Sequence, residues 1–259
     1  MSDFQQGMVL LLLASVRATV ALGVVPFFAS SGQGGLPQRA LIIANLAVVL
    51  PLLLPTLDSE WPKDPVVLAV LALKEGFIGA VLGFGAGLVV WALESAGELI
   101  DLQRGSTVAG VLNPFFGAVN SPIGGLFSRL AVAVFYATGM YLAFFGVLLS
   151  SYSVFPLFEF LPAPSVGGLE VFLGEMSHYF RLTLLYAAPV LLIFFLIDVG
   201  LGFVNRFVPS LNVFFLSMPI KSAVGFFVLI PFVGILMTSF ASENLNGARL
   251  TEFLKAVLR

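Results

Sequence analysis

The stretch "LLIFFLIDVGLGFVNRFVPSLNVFFLSMPIKSAVGFFVLIPF", Leu191–Phe232, places ionisable, amide and proline residues between two strongly apolar runs. The apolar runs are typical of helices embedded in a membrane, where a charged side chain costs about 2.5–3.5 kcal/mol at the helix centre. Irregular backbone is tolerated at that depth only where it is buried in protein or lines a water-filled cavity. The stretch therefore predicts a helical hairpin whose polar tip faces protein or water. The alternative is an ordinary cytoplasmic turn whose basic residues lie at lipid headgroups.

Spacing inside the stretch locates the predicted hairpin. Asp198, Gly202 and Asn205 fall at i, i+4 and i+7, so they share one helix face. Pro209 is expected to end the first helix. Pro219 is expected to interrupt the second helix, because proline lacks the backbone N–H. We predict an assembly hairpin whose polar tip contacts neighbouring subunits or an aqueous entrance. Its residues are Asp198, Asn205, Arg206, Pro209, Asn212, Pro219 and Lys221.

The composition of the whole chain indicates a membrane protein. Of its 259 residues, 59% are apolar and 10% are charged, whereas soluble domains carry about 25% charged residues. The mean hydropathy is +1.06. A net charge of −2 provides no basic surface for nucleic acid, and a chain without cysteine forms no disulfide or thiolate metal site. These values argue against a soluble protein and against a nucleic-acid partner.

Long apolar stretches separated by turn-rich connectors predict an all-α, polytopic integral membrane protein with some broken helices. Most of these stretches meet or approach the roughly 20 residues needed to cross a bilayer. There are about six, at roughly Met8–Phe28, Ala40–Leu57, Val66–Leu93, Leu126–Leu149, Leu182–Val204 and Leu211–Phe240. Residues 1–259 are predicted to form a single membrane domain, with a polar, breaker-rich connector at 94–125 and an amphipathic tail at 241–259.

Six ionisable residues lie within or close to the apolar stretches. They are Arg17, Lys74, Glu75, Arg129, Asp198 and Lys221. Long basic side chains can extend to the headgroups, and this is one interpretation of Arg17, Lys74 and Arg129. Six such residues in one small chain favour the other interpretation, in which these groups face protein or water rather than lipid.

Gly79, Gly83 and Gly87 recur at every fourth position of the third apolar stretch and form one stripe of a helix. Small residues at this spacing let two helix backbones approach closely. The stripe predicts close helix packing. Both a neighbouring helix of the same chain and a neighbouring subunit remain open as the contact.

The chain carries no pattern typical of catalysis. Its one histidine, His178, is expected in a polar connector, "GEMSHYFR", and a lone loop histidine is usually solvated. There is no nucleophile elbow, Walker loop or metal-ligand cluster, and Asp198 has no second intramembrane aspartate with which to form an acid–base pair. We therefore predict no catalytic residue, no cofactor and no metal site, and we do not expect an enzyme.

Residues 94–125 divide into an acidic helical face and a segment rich in glycine and proline. Glu94, Glu98 and Asp101 fall at i, i+4 and i+7. The following segment, "VAGVLNPFFGAVNSPIGG" at 108–125, has too many breakers for a helix and too many apolar residues for a typical solvated loop. A loop packed on its own subunit is one interpretation of this segment.

The tail "NGARLTEFLKAVLR", 246–259, predicts a short amphipathic helix. Its Leu250, Phe253, Leu254 and Val257 fall at i, i+3, i+4 and i+7, with basic residues around them. A helix of this kind lies at the lipid headgroups. Docking to a partner subunit is the alternative.

Two long motifs of mixed polarity, "LKEGFIGAVLGFGAGLVVWALESAGELIDLQRGS" (Leu73–Ser106) and "NRFVPSLNVFFLSMPIKS" (Asn205–Ser222), carry a family resemblance. With the chain length and the order of the apolar stretches, they resemble the SctT/FliR family. This family supplies the single-copy inner-membrane export-apparatus subunit of type III secretion systems and of the flagellar exporter. "FFLSMPIKS" is similar to the virulence-secretion branch. Val208 and Ser210 depart from the family's usual residues around the proline, so no role is implied for the side chain at 210.

The resemblance implies a multi-pass subunit, without enzymatic activity, of a helical export gate in the bacterial inner membrane. The implied partners are two smaller, multi-copy hydrophobic subunits, a switch subunit at the closed entrance, membrane lipid and, transiently, unfolded secreted substrates. The resemblance also implies that a flexible plug loop closes the central channel between export events. Its predicted residues are Val111, Leu112, Asn113, Pro114, Phe115, Phe116, Asn120, Pro122 and Ile123.

Two alternatives to a virulence export gate remain open. One is the flagellar export-gate subunit of the same family. The other, from a different class, is a small-molecule or ion transporter that uses Asp198 and Lys221 as a coupling pair, since broken helices with ionisable groups are a feature of transporters. Internal inverted repeats would favour the transporter, and the sequence shows none.

Overall fold

The computed structural model is helical throughout most of the residues that it describes. These are residues 3–26, 36–53, 64–105, 121–159, 166–210 and 212–242, together with 252, 253 and 256. Their main helices are α1 (Asp3–Val24), α2 (Leu36–Leu53), α3 (Pro65–Arg104), α4 (Pro122–Ala137), α5 (Met140–Val154), α6 (Val166–Phe207) and α7 (Val213–Ser242). These ranges contain no β-strand, which confirms the predicted all-α fold class.

Within the described residues, four helices are long and apolar enough to cross a membrane, namely α1, α3, α6 and α7. A fifth candidate span is the pair α4 and α5, which a sharp bend separates. Gly139 lies in this bend with a φ of 73°, a backbone conformation that glycine adopts without strain. The protein is therefore a polytopic membrane protein, with four or five candidate spans by length and composition.

The two longest helices exceed the thickness of a membrane. α3 has 40 residues and α6 has 42. At 1.5 Å per residue each is about 60 Å long, which is about twice the ~30 Å hydrocarbon core of a bilayer. Neither helix can be buried in lipid along its whole length if it crosses the membrane upright.

The chain divides into two compact units, which are described separately. The first unit comprises 1–88, 136–176 and 245–259, and the second comprises 89–135 and 177–244. The core of the first unit is formed by Leu10, Leu13, Ala14, Val49, Leu71, Tyr152 and Leu157, which come from α1, α2, α3, α5 and the turn after α5. The prediction of a single export-gate domain over residues 1–259 stays a prediction.

In the first unit, α1 and α3 approach closely at two glycines of the predicted stripe. A Cβ on Gly79 would collide with the carbonyl oxygen of Arg17, and a Cβ on Gly83 would lie 2.6 Å from the carbonyl oxygen of Ala21. Gly87, the third member of the stripe, is buried as well. At Gly79 and Gly83 the close neighbour is therefore α1 of the same chain.

In the second unit, close contacts join α3 to α4 and α6 to α7. A Cβ on Gly97 would lie 2.6 Å from the Cα of Gly124, so the two backbones touch there. A Cβ on Gly225 would lie 2.8 Å from the ring of Phe194. The missing side chain at Gly97 is what allows the start of α4 to lie directly on α3.

Three local predictions are wrong. His178 lies inside α6 rather than in a connector, because residues 169–181 contain no proline and continue the helix. Pro219 does not interrupt α7, since a membrane helix tolerates the loss of one backbone hydrogen bond. Pro122 and Ile123 begin α4 rather than belonging to a loop. At the first position of a helix, proline gives up an N–H that has no intrahelical partner.

Most of the predicted plug residues lie outside the part of the chain that the structure describes. They are Val111, Leu112, Asn113, Pro114, Phe115, Phe116 and Asn120. The predicted tail is described in part. Its first two residues belong to α7, which ends at Ser242, and Phe253 is buried.

Candidate functional site

Three of the ionisable residues in the apolar stretches form one buried cluster, the first ionic centre, composed of Arg17, Lys74 and Glu75. The guanidinium of Arg17 contacts both carboxylate oxygens of Glu75, with Nε–Oε2 at 2.7 Å and Nη2–Oε1 at 2.9 Å. The Nζ of Lys74 lies 2.8 Å from Oε1 of Glu75. The three side chains are 0%, 5% and 0% exposed, so these groups face protein rather than lipid or headgroups.

The two cations of the first ionic centre also bind the backbone that follows α5. Arg17 donates to the carbonyl oxygen of Phe155 at 2.8 Å. Lys74 donates to those of Pro156, Leu157 and Glu159 at 2.7, 2.9 and 3.0 Å. Carbonyl groups at and beyond a helix end have no intrahelical donor. The two cations satisfy four of them, which lets this irregular segment pack among apolar helices.

Residues of α5 complete the first ionic centre. The Oγ of Ser151 accepts a hydrogen bond from Nη1 of Arg17 at 2.9 Å. The Tyr152 ring lies under the Arg17 guanidinium at 4.2 Å, and its hydroxyl donates to the carbonyl oxygen of Ala14 at 2.8 Å. One arginine therefore connects α1, α3 and the end of α5. The sequence identified the three charged residues but gave no signal for Ser151 or Tyr152.

The second ionic centre, composed of Asp198, Lys221 and Gln103, lies in the second unit. Nζ of Lys221 lies 2.7 Å from Oδ2 of Asp198 and donates to the carbonyl oxygen of Gln103 at 3.1 Å. The side chain of Lys221 is 7% exposed and that of Asp198 is 40% exposed. The structure thus brings together the two charged ends of the predicted hairpin stretch, and it adds Gln103, which sequence reasoning missed.

The other predicted hairpin residues lie apart from this ion pair. Asn205, Arg206 and Pro209 are exposed where α6 ends, and Pro219 is exposed on α7. The side chain of Asn212 is exposed just before α7 and accepts a hydrogen bond from the backbone N–H of Phe215 at 3.4 Å.

Asp101 forms a third polar cluster in the second unit, which we name the Asp101 clasp. Its Oδ2 accepts hydrogen bonds from Oγ of Ser121 at 2.6 Å and from the backbone N–H of Ile123 at 2.7 Å. Its Oδ1 lies 2.6 Å from Nη2 of Arg104. The sequence placed Asp101 on an acidic helix face with Glu94 and Glu98. Glu94 also joins α3 to α4, because its Oε2 accepts a hydrogen bond from Oγ of Ser128 at 3.1 Å, while Glu98 is exposed.

A cavity of about 630 Å³ lies beside the Asp101 clasp, within the second unit. Most of its surface is apolar. Inside it, the hydroxyl groups of Ser95 and Tyr179 lie 2.8 Å apart. The residues that line it are Ser95, Glu98, Leu99, Asp101, Leu102, Ser121, Tyr179, Phe180, Thr183 and Leu184. Among the residues that the structure describes, no group of three histidine, aspartate or glutamate side chains could hold a metal ion.

Comparison with known proteins assigns the chain to a family. The family described as "Bacterial export proteins, family 1" matches residues 8–246. The chain belongs to this family. The matched range contains both ionic centres and the Asp101 clasp.

Relatives of this bacterial export protein include secretion and flagellar proteins. The Yop proteins translocation protein T of Yersinia pestis is 35% identical over 222 residues, which cover 85% of this chain and 84% of the relative. The surface presentation of antigens protein SpaR of Salmonella typhimurium is 28% identical over 242 residues, covering 91% and 89%. The flagellar biosynthetic protein FliR of Bacillus subtilis is 31% identical over 162 residues, covering 62% of each chain.

These matches confirm the resemblance that the two motifs carry. The flagellar relative matches a shorter part of this export protein, and at lower identity, than the Yop translocation protein does. This difference agrees with the predicted virulence-secretion branch.

Proposed function

We propose that this export protein is a structural and gating subunit of the inner-membrane export gate of a type III secretion system, where it helps to form the channel for unfolded substrates. The observation that carries the proposal is the family match over residues 8–246, with 35% identity to a Yop translocation protein over 85% of the chain. A conduit subunit needs no catalysis of its own, and its polar groups serve to hold helices in place.

The geometry of the two ionic centres supports a structural role over a transporter. A coupling pair in a transporter must release and rebind a proton or ion during each cycle. Lys221 instead pairs with Asp198 while it caps a carbonyl group at the end of α3. Arg17 and Glu75 are fully buried and form two hydrogen bonds with each other. These groups hold the backbone in place.

The exposed faces of α6 and α7 support assembly with other membrane proteins. In their most apolar windows, 17% and 22% of the residues are buried within the chain. The remaining residues therefore face lipid or protein partners. We propose that the partners are two smaller, multi-copy hydrophobic subunits and a switch subunit, and that the location is the bacterial inner membrane.

Co-expression tests this function directly. The affinity-tagged chain should be recovered as a stable, uniform complex when the two small hydrophobic subunits of the same apparatus are present, and should aggregate or be degraded without them. Removing the chain from the secreting bacterium should abolish secretion, and restoring it should return secretion. A stable, uniform chain that is recovered alone and never with those subunits would contradict the proposal.

Within this function we propose that residues 111–120 carry the seal of the channel. The support is the sequence. Val111, Leu112, Phe115 and Phe116 supply apolar side chains that exclude water, and the nearby glycine and proline residues limit regular hydrogen bonding. A seal that a passing chain displaces has to be only modestly stable, and this composition suits that requirement.

Deleting residues 113–120 tests the seal. The deletion should make the assembled gate leak ions and small solutes, while the yield of the complex stays normal. A matched control replaces the same eight residues with glycine and serine, which keeps the length but removes the apolar side chains. Both variants should leak if apolar contacts make the seal. An unchanged leak rate in both, with normal complex yield, would remove these residues from the gate.

A further inference from the structure

The start of α4 is held by two acceptors, one of which comes from another helix. Ser121 precedes α4, and its Oγ accepts a hydrogen bond from the backbone N–H of Gly124 at 2.9 Å, as an N-cap residue does. The carboxylate of Asp101, from α3, accepts the N–H of Ile123 at 2.7 Å and the hydroxyl proton of Ser121 at 2.6 Å. A negative charge at this end also complements the helix dipole.

The end of α3 is held by a cation that also comes from another helix. α3 ends at Arg104, and Gly105 follows with a φ of 89°, the left-handed conformation typical of a helix C-terminus. Nζ of Lys221, on α7, donates to the carbonyl oxygen of Gln103 in the last turn of α3. A positive charge at this end complements the helix dipole. Asp198 on α6 pairs with the same ammonium group at 2.7 Å.

The two ends are also joined to each other. Arg104, the last residue of α3, lies 2.6 Å from Oδ1 of Asp101, whose Oδ2 holds the start of α4. Four residues before Asp101, Gly97 lets the backbone of α4 touch α3 at Gly124. The carboxylate of Asp101 is buried, with its side chain 2% exposed, so water does not compete for these contacts.

From this arrangement we propose that Asp101 and Lys221 are positioning residues, which fix the C-terminus of α3 and the N-terminus of α4 relative to each other. The positions of the residues on either side of 106–120 are thereby fixed. The inference rests on the proposed function, since it assigns these two residues to the placement of the segment that carries the seal. It differs from the interpretation of Asp101 as part of an acidic surface and of Lys221 as part of a subunit-binding tip.

The test measures the distance between the two helix ends. Spin labels are attached to cysteines introduced at Leu102, which is exposed, and at Gly125, where an added Cβ meets nothing within 4 Å. This chain has no cysteine of its own, and the complex is prepared with partner subunits that lack reactive cysteines. We expect a narrow distance distribution in the otherwise unchanged protein. Asp101→Ala should broaden it or shift it to longer distances.

Glu98→Gln is the matched control for Asp101→Asn. Glu98 lies on the same acidic face three residues earlier and is exposed. Its Cγ packs beside Gly124, and glutamine keeps that contact while it removes the charge, so the distance distribution should stay unchanged. Lys221→Met should broaden the distribution because the end of α3 loses its cap. Arg206→Met, at an exposed basic residue, should not. An unchanged distribution in Asp101→Ala and Lys221→Met, in an assembled complex, overturns the inference whatever the secretion level.

Milder variants cover the case in which Asp101→Ala does not assemble. Asp101→Asn keeps an acceptor oxygen for the N–H of Ile123 but loses the ionic contact with Arg104. Ser121→Ala removes the N-cap of α4 and one donor to Asp101. Each should broaden the distribution less than Asp101→Ala does, and no broadening in either would contradict the positioning role.

A leak measurement on the same variants separates this inference from the proposed function. Broader distances together with a higher solute leak support both. Broader distances with an unchanged leak and normal secretion support the positioning of the helix ends, and count against a seal between them. Unchanged distances with a higher leak contradict the positioning role but do not contradict the proposal that the intervening segment carries the seal.

Discussion

Replacing Arg17 with methionine should destabilise the protein strongly, because Arg17 is fully buried and forms four hydrogen bonds. These reach both carboxylate oxygens of Glu75, the hydroxyl of Ser151 and the carbonyl oxygen of Phe155, at 2.7–2.9 Å. Methionine has a similar length but no donor. Among the described residues, Glu75 then keeps only the contact with Lys74, and its own charge stays buried.

The size of this effect follows from known buried ion pairs. Removing one partner of such a pair costs about 3–5 kcal/mol, because the other charge is left without compensation. At 1.4 kcal/mol for each factor of ten, the ratio of folded to unfolded protein should fall roughly 100- to 4,000-fold. The assay is thermal or denaturant unfolding of the purified complex in detergent, with the yield of folded complex as a second measure.

The control for Arg17→Met is Arg39→Met, which makes the same chemical change at an exposed residue of α2. Its effect should stay within about 0.5 kcal/mol, as is usual for surface substitutions. Arg17→Met combined with Glu75→Met should cost less than the sum of the two single changes, because both charges leave together. Equal effects at Arg17 and Arg39 would refute the structural role of the first ionic centre, and strict additivity in the double variant would refute the coupling.

Two further predictions concern helix contacts in each unit. Gly83→Leu should force α3 away from the Ala21 carbonyl, at a cost of about 1–3 kcal/mol or more, and so lower the yield of folded complex. Gly85 is off the stripe and partly exposed, so Gly85→Leu should have a smaller effect on that yield. Equal co-purification yields of the partner subunits for the two variants would argue against a tight contact at Gly83. Lys221→Glu should reduce both complex yield and secretion, because it places a second carboxylate beside Asp198. Arg206→Glu, at an exposed site, should change the free energy of unfolding by no more than about 0.5 kcal/mol. A loss of secretion in that variant without a loss of stability would therefore locate a contact with another molecule at the hairpin tip.

The charged residues show how much of the candidate site can be predicted from the sequence. Arg17, Lys74, Glu75, Asp198 and Lys221 stand out in the sequence because ionisable side chains are costly in apolar helices. Their partners do not stand out. Arg17 lies 58 residues from Glu75, and Lys221 lies 118 residues from Gln103. Each pairing depends on which helices are neighbours, and a single sequence carries no direct signal for that.

The prolines show where local rules succeeded and where they failed. Pro209 lies two residues beyond the end of α6 at Phe207, as expected of a residue that cannot continue a helix. Pro219 lies within α7 and Pro122 begins α4, although both were expected to lie where the backbone is irregular. Proline restricts its own backbone in every case, but whether a helix tolerates it depends on its position and on the helix around it.

The sequence by itself determined the class of this protein, because apolar runs of about 20 residues with few charges have a stable place only in a membrane, and there the backbone forms helices. It also determined the family, since two long motifs of mixed polarity rarely recur by chance. Only the tertiary structure decided what the buried charges do. The carbonyl groups after α5 and at the end of α3, and the N–H groups at the start of α4, need partners that their own helices cannot supply. Arg17, Lys74, Lys221 and Asp101 reach them from other helices.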